Sequence, residues 1–120
     1  MRFTVPQGIV LQPGCHYLPA FKEAVKANPF SSEPGVPADG HLSNLNTNGG
    51  IALVRADATI VDQAGMNPSS VFKEGNTLPP TGVDDNRAYT RIGNDTNDNA
   101  SDFVRATATP MNSSSSCAVR

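Results

Sequence analysis

The strongest pattern in the chain consists of two short segments rich in β-forming residues, at 51–55 and 59–64. Asp57 lies between them in the sequence RADAT, and Asp is a favoured turn residue. Two such segments around a short turn are typical of a β-hairpin. Upstream, Asn48-Gly49-Gly50 predicts another tight turn, because Asn and Gly accept a positive φ at little cost. We expect the hairpin to be the most ordered part of the fold. The residues predicted to bury one of its faces are Ile51, Leu53 and Ile60.

Two later segments, at 86–93 and 102–110, also predict strands. Side chains alternate between the two faces of a strand, which divides the first segment into two sets. Ala88, Thr90 and Ile92 fall on one face, and Tyr89 and Arg91 fall on the other.

One stretch, residues 19–28, has a helical pattern instead. Pro19 suits the first turn of a helix, and Pro29 follows the last residue. The apolar residues that share one side at helical spacing are Phe21, Ala24, Val25 and Ala27. The pattern predicts about two helical turns here.

The elements and the composition together predict an all-β fold. Gly and Pro contribute ten residues each to the 120-residue chain, a mix that suits short strands and frequent turns. We predict one domain at 1–112, an antiparallel β-sandwich with a short helix near 19–28, followed by a Ser-rich flexible tail at 113–120. Roughly five or six strands are predicted, against about seven in a closed sandwich.

Charge and hydropathy exclude some classes of partner. The formal net charge is −2 and charged residues make up 17% of the chain, so no basic field exists to attract nucleic acid or anionic lipid. The longest apolar stretch is too short to span a bilayer. The N-terminal residues lack the continuous apolar run of a signal peptide, so the sequence leaves the compartment undetermined.

Three stretches carry short motifs in a characteristic order: VLQPGCHYL at 10–18, HLSNLNTNGGIALVRADATIVDQAG at 41–65 and NRAYTRIGNDTNDNASDFVRATATPMNS at 86–113. Together they resemble the lamin tail domain family in its bacterial form, over most of residues 8–113. The resemblance implies an immunoglobulin-like β-sandwich and a non-catalytic structural or protein-binding role. It also implies a secreted or cell-surface location.

The same resemblance supports two other interpretations. Bacterial members often lie beside extracellular nuclease, phosphatase or protease domains, so the chain would be an accessory module that holds a substrate or the cell surface. In the third interpretation the chain is a truncated gene product without an independent function, because the strands that open the family's domain have no counterpart here. Two smaller departures are Ala58, where the family has Gly, and Pro19, which interrupts the strand beyond Tyr17.

The missing opening strands predict an unpaired sheet edge. Exposed strand edges pair readily with other chains, so we expect a protein partner, self-association or capture of a partner strand. The apolar residues expected to line the gap include Val10, Leu11 and Leu53. In the alternative, residues 1–11 fold back and replace a lost strand, which leaves a closed monomer.

The stretch GNDTNDNASDFV, residues 93–104, raises the question of a calcium site. Its candidate ligands are Asp95, Asn97, Asn99 and Asp102. An EF-hand loop that begins at Asp95 would need Gly at its sixth position and Glu at its twelfth. The chain has Ala100 and Ala106 there. We therefore interpret the stretch as a structural turn built by Asp and Asn side chains, with a calcium site of another type as the alternative.

Other candidates for chemistry are sparse. Cys15 and Cys117 are 102 positions apart, without metal spacing, and are either free thiols or a disulfide formed in an oxidising compartment. His16 and His41 lack the spacing of metal ligands. Neither Cys15-His16, Ser113–Ser116 nor the pair Asp84-Asp85 matches a catalytic motif, so we predict no enzyme activity and no cofactor.

Overall fold

The computed structural model describes residues 3–21, 36–42, 49–79 and 87–118. Within these ranges the chain consists mostly of short strands with one short helix, which confirms the predicted strand-rich class. The elements in chain order are β1 Pro19–Phe21, β2 Gly40–Leu42, β3 Gly50–Val54, β4 Ile60–Gly65, β5 Arg87–Arg91, α1 Asn99–Asp102 and β6 Phe103–Thr107. No helix among them is long and apolar enough to cross a membrane.

The described strands form three two-stranded sheets. β1 pairs with β2 in parallel, whereas β3 pairs with β4 and β5 with β6 in antiparallel. The chain forms two compact units, the first made of Met1–Leu45 with Thr109–Arg120 and the second of Asn46–Ala108. This division differs from the predicted single domain at 1–112, because the C-terminal segment belongs to the same unit as the N-terminal one.

In the first unit, the helix predicted near 19–28 is wrong at its start, because residues Pro19–Phe21 form strand β1. The backbone next to Pro19 is instead held by Asp39, whose carboxylate accepts the Leu18 N–H at 2.7 Å. The backbone N–H of Asp39 in turn donates to the Leu18 carbonyl at 2.8 Å. This clamp aligns the segment with Gly40–Leu42 as an extended strand. The remainder of the predicted helix lies outside the described residues.

The tail predicted to be flexible at 113–120 is held in place over its described part, 113–118. Ser113 donates both its N–H and its hydroxyl to the Asp39 carboxylate. The N–H of Ala118 donates to the Gly14 carbonyl at 2.7 Å, and Cys117 forms a disulfide with Cys15. A Ser-rich composition predicted mobility, but these long-range contacts order the segment.

In the second unit, the predicted hairpin is confirmed as β3 and β4. Their register pairs Ile51 with Ala64 and Leu53 with Asp62, and a bulge follows Leu53. The turn is closed by Asp57, whose side chain accepts the Thr59 N–H at 3.0 Å and the Thr59 hydroxyl at 2.6 Å. The predicted turn at RADAT is therefore confirmed together with its mechanism.

The prediction that Ile51, Leu53 and Ile60 bury a face of the hairpin is wrong, because they are 48%, 58% and 47% exposed. The residues that lie against other chain segments are glycines. A Cβ atom at Gly50 would lie 2.2 Å from the Ser70 Oγ, and one at Gly65 would lie 2.4 Å from the Lys73 Cβ. The loop after β4 thus packs on the side where glycine allows close backbone approach, rather than on the apolar side.

The strands predicted at 86–93 and 102–110 are confirmed as β5 and β6, with Tyr89 opposite Arg105 and Arg91 opposite Phe103. Between them, the stretch predicted as a turn contains the single helical turn of α1. Asp98 caps it, accepting the Ser101 N–H at 3.2 Å.

Fully buried groups in this unit are mostly polar. Leu78 is the buried hydrophobic residue among the described residues, at 5% exposure, whereas Asn99 and Asp102 are 0% and 1% exposed. Both polar side chains belong to α1. The second unit is therefore organised around hydrogen bonds made by one helical turn.

Candidate functional site

The largest group of charged side chains in the described residues surrounds Arg91, near the end of β5. Its guanidinium contacts the Asp62 carboxylate at 2.7 Å, the Asp95 carboxylate at 3.4 Å and the Asp102 carboxylate at 3.5 Å. The guanidinium also lies 4.6 Å from the centre of the Phe103 ring, its cross-strand neighbour. Arg91 thus balances carboxylates from β4, the loop after β5, and α1.

Asp102 is the most buried acid of this group, at 1% exposure. Its carboxylate accepts the Thr96 hydroxyl at 2.6 Å and the Thr96 N–H at 3.0 Å. These hydrogen bonds, together with the nearby Arg91, hold the pKa of Asp102 below its ordinary value although burial opposes them. Asp102 is therefore an anion that fixes the loop before α1.

Glu74 approaches the same group from the loop after β4. Its Oε2 atom is buried and has no hydrogen-bond partner in the described part of the chain. Burial, followed by the negative charges of Asp95 and Asp62, raises the pKa of Glu74 above its ordinary value. Neighbouring anions and lost solvation both disfavour the charged form of a carboxyl group.

Three of these acids have the geometry of a cation site. One carboxylate oxygen each from Asp62, Glu74 and Asp95 lie within 4.8 Å of one another. Oxygen ligands in this arrangement suit a hard cation such as Ca²⁺, which prefers six to eight of them. Arg91 already contacts two of the three carboxylates, so a metal ion would compete with its guanidinium. Asp62 and Asp95 are thus members of an ion-pair network, which Glu74 borders with its unpartnered oxygen.

The four calcium candidates from the sequence do not converge as one set, although Asp95 and Asp102 both contact Arg91. Asp95 accepts the Asn97 N–H at 2.9 Å in a local turn, and Asn97 has a φ of 57°. Asp102 faces Thr96 and Arg91, while the Asn99 side chain bonds to the β4 backbone. This matches the interpretation of the stretch as a structural turn. Of the four, only Asp95 belongs to the group of three acids above.

Sequence reasoning missed Asp62 and Glu74. Both are far from 93–104 along the chain, and neither lies in a motif that indicates a metal or catalytic site. The one usable signal is Asp62 itself, the charged residue in the otherwise uncharged strand IVDQAG. Such a residue needs a partner, and Arg91 has the complementary position on β5.

Asn99 closes one edge of the β3–β4 hairpin. Its Nδ2 donates to the Gln63 carbonyl at 3.0 Å, and its Oδ1 accepts the Gly65 N–H at 2.9 Å. A peptide group of a neighbouring strand would make the same two bonds to β4. The side-chain amide therefore acts as a short substitute for a third strand.

The first unit contains a groove of about 500 Å³ lined by N-terminal residues, by Cys15 to Tyr17, and by Asp39 and Ser113. Ser113 donates its hydroxyl to Asp39, and this bond is the main cause of the lowered Asp39 pKa. The buried His16 Nε2 has no hydrogen-bond partner among the described residues, and the Ser113 hydroxyl is bound to an acid rather than to this base. This is not the arrangement of a catalytic triad.

His41 lies in β2 opposite Ala20, and neither it nor His16 belongs to a metal-binding group among the described residues. Cys15 and Cys117, left open as thiols or a pair, form the disulfide noted above. Asp84 and Asp85 lie outside the described residues.

Comparison with known proteins identifies no relative. No protein-family model, curated protein or solved structure matches the chain. The resemblance to lamin tail domains therefore depends on the sequence motifs alone.

Proposed function

We propose that the chain is a non-catalytic protein-binding module that takes up an extended segment of a partner along the outer edge of β3. The observation that carries this proposal is an uncharged strand edge with which no other described strand pairs, beside two exposed large apolar side chains, Ile51 and Leu53. The proposal agrees with the protein-binding role that the resemblance to lamin tail domains implies.

The hydrogen bonds of β4 show which backbone N–H and carbonyl groups of β3 are not bonded to it. The N–H of Gly65 donates to Asn99 and its carbonyl accepts from Leu78, so Gly65 is not bonded to its cross-strand neighbour Gly50. Bonded and non-bonded pairs alternate in an antiparallel ladder. Gly50 and Ala52 therefore direct their N–H and carbonyl groups away from β4.

The two edges of the hairpin differ in their protection. The outer edge of β4 is covered by Asn99 and Leu78. β3 has no second strand beside it in the described part of the chain. Lys, Pro and very short strands are among the devices that protect such edges in natural proteins, and none of these occurs within GIALV. A bulge, which is another such device, lies only at the end of the strand, after Leu53. An edge of this kind accepts a strand from another chain.

The polar groups that would be candidates for catalysis are engaged in structure. Arg91 balances three carboxylates, and Ser113 is bound to Asp39. This supports a binding role over an enzymatic one. The Cys15–Cys117 disulfide supports an extracellular or cell-surface location, since disulfides persist in oxidising compartments.

The immunoglobulin-like sandwich is part of the same proposal. The antiparallel pairs β3–β4 and β5–β6 occur in the chain order that the motifs imply, which supports it. The parallel pair β1–β2 is a departure from an antiparallel sandwich.

The test is an NMR titration of the isotope-labelled chain with a synthetic uncharged peptide of alternating Val and Thr. Peptide binding along β3 is expected to shift the amide signals of Gly50, Ala52 and Val54 more than those of β6. Leu53→Lys should abolish the shifts, whereas Val71→Lys, which adds the same charge at an 88% exposed loop position, should preserve them. The titration is made at a concentration where the chain is monomeric, and unchanged β3 signals at saturating peptide would then refute the proposal.

A further inference from the structure

We propose that the segment taken up by β3 is the β3 strand of a second copy of this chain, paired antiparallel about a two-fold axis at Ala52. This inference rests on the proposed function, since it names the partner of the same edge. It follows from the register of the free backbone groups and from the symmetry of the side chains.

The backbone groups of β3 that point away from β4 determine the register in which two β3 strands can pair. Gly50 and Ala52 face outward, and so does Val54, because its neighbour Arg55 donates its N–H to Thr59 across the hairpin at 2.9 Å. An axis at Ala52 places Ala52 opposite the partner's Ala52, and Gly50 opposite the partner's Val54. The backbone groups that meet across the interface are then all groups that point away from β4, and about six main-chain hydrogen bonds form. An axis at Ile51 or Leu53 would place groups already used within the hairpin at the centre of the interface.

The side chains of β3 are self-complementary in this register. Ile51 lies opposite the partner's Leu53, and Leu53 opposite the partner's Ile51, so each large apolar side chain meets another. They are 48% and 58% exposed in the single chain, which leaves area for the contact to bury. A two-fold interface repeats every residue, so a charge near its centre would face a like charge. GIALV has no charged residue.

This symmetry favours a second copy over an unrelated protein. A strand from another protein would need only a matching apolar face. A two-fold pairing needs large apolar residues at equal distances on both sides of the centre, and Ile51 and Leu53 satisfy that condition around Ala52. The bulge after Leu53 lies beyond the central pairs and leaves them regular.

The first measurement is sedimentation velocity of the full chain over a concentration series, with the disulfide intact. A monomer–dimer equilibrium is expected. Leu53→Lys should raise the dimer Kd at least about tenfold, because it replaces a buried apolar contact with a desolvated charge. Val71→Lys should leave the Kd unchanged. A monomer at all concentrations would overturn the second copy as partner.

The second measurement tests the register by cross-linking. Ile51→Cys and Leu53→Cys chains are mixed and oxidised mildly. Residues 51 and 53 of different copies would form a close, non-hydrogen-bonded pair with Cα atoms about 4.5 Å apart, within reach of a disulfide. The mixture should therefore give a covalent dimer, while each variant alone should give little, because identical positions do not face each other. A dimer that forms without this cross-link and survives Leu53→Lys would overturn the inference.

The two proposals fail separately. If the chain stays monomeric but binds the Val/Thr peptide at β3, the docking edge is supported and the second copy as its partner is refuted. If the chain neither dimerises nor binds the peptide, both proposals are refuted.

Discussion

The Oδ1 atom of Asn99 accepts a hydrogen bond from the backbone N–H of Gly65 at 2.9 Å, across 34 positions of the chain. The same oxygen accepts the Glu74 N–H at 3.0 Å, and the Asn99 amide nitrogen donates to Gln63. One fully buried side chain thus joins α1, β4 and the loop after β4. The relationship explains how the outer edge of β4 is covered, whereas no described strand lies along that of β3.

Replacing Asn99 with Ala should destabilise the fold by about 2–4 kcal/mol, because three backbone groups lose their partners inside the protein. Urea denaturation followed by circular dichroism measures the change. Asn94→Ala is the control: Asn94 is exposed in the same loop and its removal should cost less than about 0.5 kcal/mol. Equal stability of the two variants would show that Asn99 does not organise the unit.

Ala58→Gly should stabilise the chain. Ala58 has a φ of 70°, a left-handed conformation that costs a residue with a Cβ atom about 1–2 kcal/mol. Part of the gain is lost because Gly is more flexible in the unfolded chain, so we expect a net gain of about 0.5 kcal/mol. The urea midpoint should rise with an unchanged slope.

Ala56→Gly is the matched control in the same turn. Ala56 is not among the described residues with a positive φ, so glycine there brings only the entropic cost. The two substitutions should change stability in opposite directions. Destabilisation by both would show that Ala58 does not hold a strained conformation.

The parts of the fold that depend on neighbouring residues could be predicted from the sequence. The hairpin, its Asp57 turn and strands β5 and β6 follow from local pattern, because β-formers and turn residues act over a few positions. Ala58 stands at a position where the resembled family has Gly, so the strained turn residue could also be predicted from the sequence. The strand at Pro19–Phe21 could not be predicted, because the Asp39 clamp lies about twenty positions away.

The candidate site depends on similar long-range contacts. The pairing of Arg91 with Asp62 spans 29 positions, and no local spacing predicts it. Alternation along β3 and β4 predicts which face of the hairpin is apolar, but it does not predict whether another segment covers that face. The glycines Gly50 and Gly65, which permit close approach of the loop at 70–73, decided the packing instead.

Asp102→Asn should destabilise the chain at neutral pH and have a smaller effect in acid. The folded-state pKa of Asp102 lies below the ordinary value of 3.8, so its carboxylate stabilises the fold above that value. The contribution is lost as the pH falls through the lower, folded-state pKa. Urea unfolding of wild type and variant at pH 7 and in strong acid measures the difference. A constant difference at all pH values would show that the charge plays no part.

Glu74→Gln should have the opposite effect. The pKa of Glu74 is raised above 4.5, chiefly by burial and then by Asp95 and Asp62, while Arg91 opposes the shift. A carboxyl group with a raised folded-state pKa favours the fold when protonated, and this contribution is lost as the pH rises through that pKa. Gln stays neutral, so the variant should be more stable than wild type at pH 7, and its advantage should vanish below about pH 4.

The same pH series on Asp102→Asn provides the comparison, since the two variants remove carboxylates with opposite pKa shifts. If Glu74→Gln lowers the stability of the fold at pH 7, the ionised Glu74 has a stabilising partner, such as a bound cation. Repeating the measurement with added Ca²⁺ and with a chelator would identify that cause.

Reduction of the Cys15–Cys117 disulfide should lower the free energy of unfolding by about 2–4 kcal/mol. The bond closes a loop with a sequence separation of 102, which restricts the unfolded chain much more than the folded one, where Ala118 already bonds to Gly14. Urea unfolding with and without a phosphine reductant measures the loss. The double variant Cys15→Ser/Cys117→Ser should match the reduced wild type and should not respond to the reductant.

Because Ser113 also binds Asp39, the tail should keep its place in the folded state after reduction, with the Ser113 amide signal little changed. Reduction without any loss of stability would mean that the disulfide is not formed in solution, and would remove its support for an oxidising compartment.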